Sequence, residues 1–96
     1  MSYEEQTAEY TTGARELTPE NVIKFTEAFL VNNQIEPSHV MVDRVVITSL
    51  TDQDYHIAIY AAFTGYLVGV GGKRAKSLAA GLSSFFGKQL KLEIKH

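Results

Sequence analysis

The chain has 96 residues, of which 45% are hydrophobic and 21% are charged, and its formal net charge at pH 7 is −2. This composition is that of an ordinary globular protein and excludes a wholly disordered chain, a coiled coil and a fibre, while the length allows one compact domain. The sequence contains no cysteine, which excludes disulfides, zinc sites built on thiolates and cysteine nucleophiles.

The charged residues are distributed unevenly along the chain. Residues 1–64 carry three basic and ten acidic side chains, whereas residues 65–96 carry six basic side chains and one acidic. Such asymmetry favours a surface that binds a polyanion, although a solvated helix face and a charged strand edge would give the same count. The longest apolar run, residues 57–63, is far shorter than the roughly 20 residues that span a bilayer. Glu4, Glu5 and Glu9 give the N-terminus the wrong charge for a secretory signal. We therefore expect a soluble cytoplasmic protein, with a cysteine-free extracellular protein as the alternative.

The chain begins with a predicted leader and a predicted helix. Residues 1–17 are polar and acidic and lack apolar periodicity, so they predict a flexible acidic leader, and residues 18–96 are expected to form the domain. Thr18 and Pro19 are typical of the residues that open a helix. Apolar residues at helical spacing extend this helix to about residue 33.

Two strands are predicted after this helix. Residues 40–50 are rich in β-branched side chains, but their alternation is broken, which indicates either a bulge or burial of both faces. Residues 55–63 alternate more regularly, so we expect their aliphatic face, which includes Phe63, to be buried. His56 and Tyr60 lie on the opposite face of that strand, where a solvated or protein-contacting surface is the favoured interpretation.

The second half predicts a short apolar turn at residues 64–68, a glycine loop, a helix at residues 73–86 and an edge strand at residues 90–94. Gly87 is a natural helix stop. The predicted order is helix, strand, strand, short helix, helix, strand. We expect an α+β two-layer sandwich, with a three-stranded sheet and the helices on one of its faces.

The glycine loop at residues 69–74 carries the most specific signal in the chain. A Walker phosphate loop requires a glycine five residues before the Gly-Lys pair and a hydroxyl residue after it, but Leu67 and Arg74 stand there. A dinucleotide-binding loop requires a third glycine where Arg74 stands, inside a larger fold. Neither interpretation fits the chain.

Residues 67–75 resemble the signature of KH domains, in which two aliphatic residues precede G-x-x-G and a helix. The predicted element order over residues 19–95 resembles the type II, or prokaryotic, KH arrangement, αββααβ. In KH domains this loop clamps about four single-stranded nucleotides. The chain differs from many RNA-binding members because Val70 and Gly71, between the clamp glycines, are uncharged.

The resemblance implies a non-catalytic protein that binds single-stranded RNA through the loop and the basic start of the following helix. The implied RNA-binding residues are Leu67, Val68, Gly69, Val70, Gly71, Gly72, Lys73, Arg74 and Lys76. Glycines let phosphates approach the main chain, and N–H groups at a helix start attract anions. Three cations in that first turn oppose the helix dipole, which favours a role in binding nucleic acid.

Several alternatives remain at this stage. The chain could be an interaction module that keeps the KH scaffold but binds protein, and single-stranded DNA is a second candidate ligand. A second copy of the chain is a further candidate partner, since one small module binds weakly alone. No catalytic grouping and no metal-ligand spacing is apparent in the sequence, so we expect no enzyme activity, metal or cofactor. A stand-alone domain of this kind would suit a bacterium or a virus that infects one.

Overall fold

The computed structural model describes residues 16–96. The predicted leader lies outside the described residues except for Glu16 and Leu17. In chain order the elements are α1 (Pro19–Asn32), β1 (Val42–Ser49), β2 (Asp54–Ala61), α2 (Gly65–Val68), α3 (Lys73–Phe86) and β3 (Gln89–Lys95), with short 3-10 turns at Pro37–His39 and Val70–Gly72. Within residues 16–96, no helix is long and apolar enough to cross a membrane.

Helix α1 begins where the sequence predicts it. The Thr18 hydroxyl accepts a hydrogen bond of 3.1 Å from the backbone N–H of Asn21, and Pro19 occupies the first turn, where its missing N–H costs nothing. The Asn21 side chain donates to the carbonyl oxygen of Glu16 at 2.8 Å, and Leu17 packs against the core. The two described residues of the predicted leader therefore contact the domain.

The sheet has three strands within the described residues, in the order β1-β2-β3. Strand β1 pairs antiparallel with β2, and β3 pairs parallel with β2. The protein thus belongs to the α+β class with a three-stranded sheet, as predicted, and β3 is an edge strand. The sheet is mixed, which the sequence pattern did not specify. A parallel neighbour needs a crossover between its strands, and here α2 and α3 form that crossover.

A β-bulge explains the broken alternation of β1. The register shifts between Val42, which pairs with Ala61, and Arg44, which pairs with Tyr60, so Asp43 is the extra residue. After the shift, Val45 pairs with Ile59. Residues on both sides of the bulge therefore face the core, and of the two explanations that the sequence allowed, the bulge is correct.

The core lies between the helices and one face of the sheet, which we call the inner face. Its buried hydrophobic residues come from all three helices, from β1 and β2, and from the turn before β1: Val22, Leu30, Val40, Val45, Ile57, Ile59, Ala61, Leu67, Leu78, Leu82 and Phe86. Phe63 is not among them, and the expectation that it is buried is wrong. Strand β2 ends at Ala61, and Phe63 is 57% exposed.

Helix α3 packs closely on α1 through Gly81. A Cβ atom at Gly81 would lie 3.1 Å from the Phe25 ring, and Phe25 in turn contacts Phe85, with ring centroids 5.1 Å apart. The helix ends at Gly87, which has the left-handed φ of 68° that favours glycine. These contacts fix α3, and so fix the loop from which it starts.

Candidate nucleic-acid interface

The glycine loop is a sharp connection between α2 and α3. Helix α2 closes with a hydrogen bond of 2.9 Å from the N–H of Gly69 to the carbonyl oxygen of Gly65. Gly69 then adopts φ 73° and ψ 179°, a conformation that only glycine adopts readily. Gly71 and Gly72 also have positive φ, 62° and 78°. Three left-handed residues in four positions let the chain reverse before Lys73 begins α3.

The Gly69 side of the loop is packed against α3. A Cβ atom at Gly69 would lie 2.7 Å from the Cβ of Arg74 and 3.0 Å from its backbone nitrogen, so no larger residue fits without movement. The Arg74 side chain reaches back, and its Nη1 donates to the carbonyl oxygen of Tyr66 at 2.8 Å. That carbonyl belongs to the last turn of α2, where intrahelical donors run out. Arg74 therefore joins the two helices across the loop.

The tip of the loop, Val70–Gly71, is open. The Val70 side chain is 88% exposed, and a Cβ atom at Gly71 or Gly72 would meet nothing within 4 Å. Gly72 is the N-cap of α3 and offers no side-chain hydrogen bond to its first turn. The N–H of Lys73 already donates to the carbonyl oxygen of Val70, so an anion would use the other N–H groups of that turn. The tip is thus a surface on which an anion can approach the main chain.

The sequence-predicted site residues differ in how far they are exposed to solvent. Leu67 is fully buried, so it supports the loop from the core and cannot touch a ligand directly. Val68 is 36% exposed. Lys73 and Lys76 are exposed, whereas Arg74 is half-buried and already bonded to Tyr66. The structure therefore brings the three cations together at the start of α3 but leaves two of them wholly free to meet a phosphate.

A shallow depression adjoins the tip, and it contains two residues that sequence reasoning missed. Its volume is about 280 Å³, and Asn33 and Ser77 line it together with Gly69, Val70, Lys73 and Arg74. The Asn33 Nδ2 donates to the carbonyl oxygen of Phe29 at 2.8 Å, which fixes the side chain at the end of α1. Ser77 was detectable as the residue one helical turn after Lys73, but Asn33 approaches the loop only through the tertiary fold.

The basic second half of the chain does not form a single patch. Lys91 and Lys95 lie on β3, where they pair with His56 and Tyr60 on the face of the sheet away from the core, the outer face. There the Glu93 carboxylate is 3.1 Å from the His56 Nε2. The Arg44 guanidinium carbon lies 4.0 Å from the centroid of the Tyr60 ring. The predicted basic surface is therefore divided between the loop and the outer face.

The sequence matches no protein-family model and no curated protein.

Proposed function

We propose that this protein binds single-stranded RNA without catalysing a reaction, and that it does so as a KH-like domain of the type II arrangement. The observation that carries the proposal is the open loop tip, where main-chain groups at Val70–Gly71 are accessible beside the exposed Lys73 and Lys76. The observed element order, helix, strand, strand, short helix, helix, strand, agrees with the order that the KH resemblance implies.

In this proposal the phosphates lie against the loop tip. Main-chain N–H groups and the first turn of α3 attract the negative charge, and Lys73 and Lys76 neutralise it from the same side. Arg74 holds the loop in shape through Tyr66 and has further N–H groups left for a phosphate. Val68 and the depression beside Asn33 and Ser77 offer contacts to the adjacent nucleotides.

Binding by one such module is expected to be weak and of modest sequence preference, because phosphates carry no sequence information and the site has few free polar side chains. Linkage to a second copy or to a partner protein would raise the avidity. We propose the cytoplasm as the compartment in which the protein acts. Single-stranded DNA would use the same phosphate contacts, so a comparison of RNA with DNA of the same sequence belongs to the first binding measurement.

The decisive test is the double substitution Val70→Asp and Gly71→Asp. Two carboxylates at the tip would repel phosphates and compete for the α3 start, so we expect affinity for a short unstructured RNA to fall by more than about thirtyfold, or about 2 kcal/mol. Because both positions are exposed, the fold should survive with a loss of about 1 kcal/mol from the positive φ at Gly71. Fluorescence anisotropy measures the affinity and circular dichroism the stability.

A matched control adds the same charge elsewhere. Leu50→Asp with Gln53→Asp places two carboxylates in the exposed β1–β2 turn, so its effect on RNA affinity should be small. If the folded tip variant binds RNA as tightly as the parent, the loop is not the RNA site. An interaction module that recognises protein through the same scaffold then becomes the better assignment.

A further inference from the structure

Two adjoining cavities lie at the end of β2, between the outer face and α2. The first has a volume of about 510 Å³ and is lined by residues that include Arg44 and Tyr60. The second has a volume of about 530 Å³ and is lined by residues that include Phe63 and Tyr66. Ala62 and His96 line both cavities. The two cavities therefore adjoin at the end of β2, and we call them together the groove.

Three aromatic side chains follow one another along this groove at intervals of three residues. Phe63 is 57% exposed and Tyr66 is 48% exposed, and both line the second cavity. Tyr60 is half-buried on the outer face. Exposed aromatic rings in a row are the surface on which successive unpaired bases stack, whatever their sequence. We call the three residues the aromatic track.

Cations flank the far end of the aromatic track. The Arg44 guanidinium carbon is 4.0 Å from the centroid of the Tyr60 ring, and the Lys95 ammonium is 5.8 Å from the same centroid. Two carboxylates lie near these cations: Asp43 lines that cavity, and the Glu93 carboxylate is 4.0 Å from the Lys95 ammonium. Lys95 is therefore paired, whereas within the described residues no ion pair holds Arg44, so its exposed guanidinium is the cation that complements a phosphate.

The near end of the aromatic track is joined to the glycine loop. Tyr66 lies in α2, and its carbonyl oxygen accepts the hydrogen bond from Arg74. Gly69 follows Tyr66 by three positions, a rise of about 5 Å along a helix. A ligand that contacts the loop and extends over α2 therefore reaches Tyr66 next and Phe63 after it.

We infer that the aromatic track is an extension of the nucleic-acid site, in which bases beyond those at the loop stack on Tyr66 and Phe63, and a phosphate at the far end is neutralised by the Arg44 guanidinium that lies on the Tyr60 ring. The inference rests on the proposed function for the class of ligand. It assigns a longer footprint, which goes beyond the four nucleotides of the loop alone. An exposed guanidinium beside exposed rings favours a polyanion whose bases can stack, and occupation of the groove by a second copy of the chain is an outcome that the test distinguishes.

The test compares two RNA lengths on the full chain with the substitution Phe63→Ala. Because Phe63 is exposed, the variant should fold, and circular dichroism checks this. Losing one stacked base should weaken binding of an unstructured 12-nucleotide RNA about five- to tenfold, while binding of a 4-nucleotide RNA should not change. A longer RNA can also bind the loop at more positions along its length, which raises its affinity for variant and parent alike. The decisive quantity is therefore the ratio of the variant's affinity to the parent's affinity at each RNA length.

Leu50→Ala is the matched control, because Leu50 is 51% exposed but lies in the β1–β2 turn at the opposite end of the sheet. Leu50→Ala should leave the affinity for the 12-nucleotide RNA and for the 4-nucleotide RNA unchanged. Equal affinity of Phe63→Ala and parent for the 12-nucleotide RNA would overturn the inference. Self-association that Phe63→Ala abolishes and RNA does not affect would overturn it too, since the groove would then serve a second copy.

The loop variant Val70→Asp with Gly71→Asp separates this inference from the proposed function. If that variant loses affinity for both RNAs while Phe63→Ala binds both as tightly as the parent, the loop is the RNA site and the inference about the aromatic track is wrong. If the loop variant keeps full affinity for the 12-nucleotide RNA while Phe63→Ala loses it, the track stands as a site in its own right and the loop assignment is wrong. Failure of the parent to bind either RNA overturns both.

Discussion

Gly69 and Gly71 both have a positive φ, 73° and 62°, and they are two residues apart in the same loop, but their surroundings are opposite. A side chain at Gly69 would collide with Arg74, whereas one at Gly71 would meet open space. One side of the loop is therefore fixed by packing between helices, and the other side is a tip that nothing in the described structure covers.

This contrast separates two reasons for glycine in the same motif. On the packed side, glycine is required because two helices approach each other and an arginine side chain needs room to cross. At the tip, glycine keeps the main chain accessible, which benefits a ligand and adds little to the fold. Substitutions on the packed side should therefore change the free energy of unfolding, and substitutions at the tip should change RNA affinity.

Gly69→Ala is the substitution that tests the packed side most strongly. Alanine would have to hold a conformation that only glycine populates readily and would overlap the Cβ of Arg74. We expect a loss of about 3 kcal/mol in the free energy of unfolding, measured by urea denaturation. Gly71→Ala is the matched variant, with a positive φ but open space, and should cost about 1 kcal/mol. Equal losses for the two would show that packing adds nothing at Gly69.

Arg74 and Lys73 offer the same comparison between neighbouring cations. Arg74→Met removes the hydrogen bond to the Tyr66 carbonyl and should lower the free energy of unfolding by about 1 kcal/mol, with a loss of RNA affinity as the loop loosens. Lys73→Met removes an exposed charge and should lower RNA affinity while the stability stays within about 0.5 kcal/mol of the parent. Thermal and urea unfolding, paired with anisotropy, measure both quantities. Equal stability of the two variants would contradict the bridging role of Arg74.

Much of the fold was predictable because its signals are local. Thr18 and Pro19 mark the start of α1 and Gly87 marks the end of α3, and each works through hydrogen bonds within a few residues. The irregularity near Val42 was visible as broken alternation, but the register that places the bulge at Asp43 depends on pairing with β2. The burial of Phe63 was predicted wrongly because periodicity does not report where a strand stops.

The candidate site was predictable only in part. The glycine loop is one continuous segment, so the spacing of its glycines and the basic residues that follow them could be identified from the sequence. Asn33 comes from the end of α1, and the bond between Arg74 and Tyr66 depends on the angle between two helices, so neither follows from spacing. The basic second half of the sequence also appeared as one signal, although the fold places Lys91 and Lys95 on the outer face, away from the loop.

Val70→Lys is the variant at the loop tip for which we expect the smallest change in RNA affinity. Val70 is 88% exposed, so lysine should leave the unfolding free energy unchanged while adding a cation where many RNA-binding KH domains carry one. We expect RNA affinity to rise about threefold at low salt, in the range of an exposed ion pair. For single strands the slope of log affinity against log salt should steepen by about 0.7, the value for one additional neutralised phosphate. Leu50→Lys gives the same net charge in the β1–β2 turn and should change the slope much less. If both lysine variants change affinity and slope equally, the gain comes from net charge alone, and the tip has no special access to the phosphates.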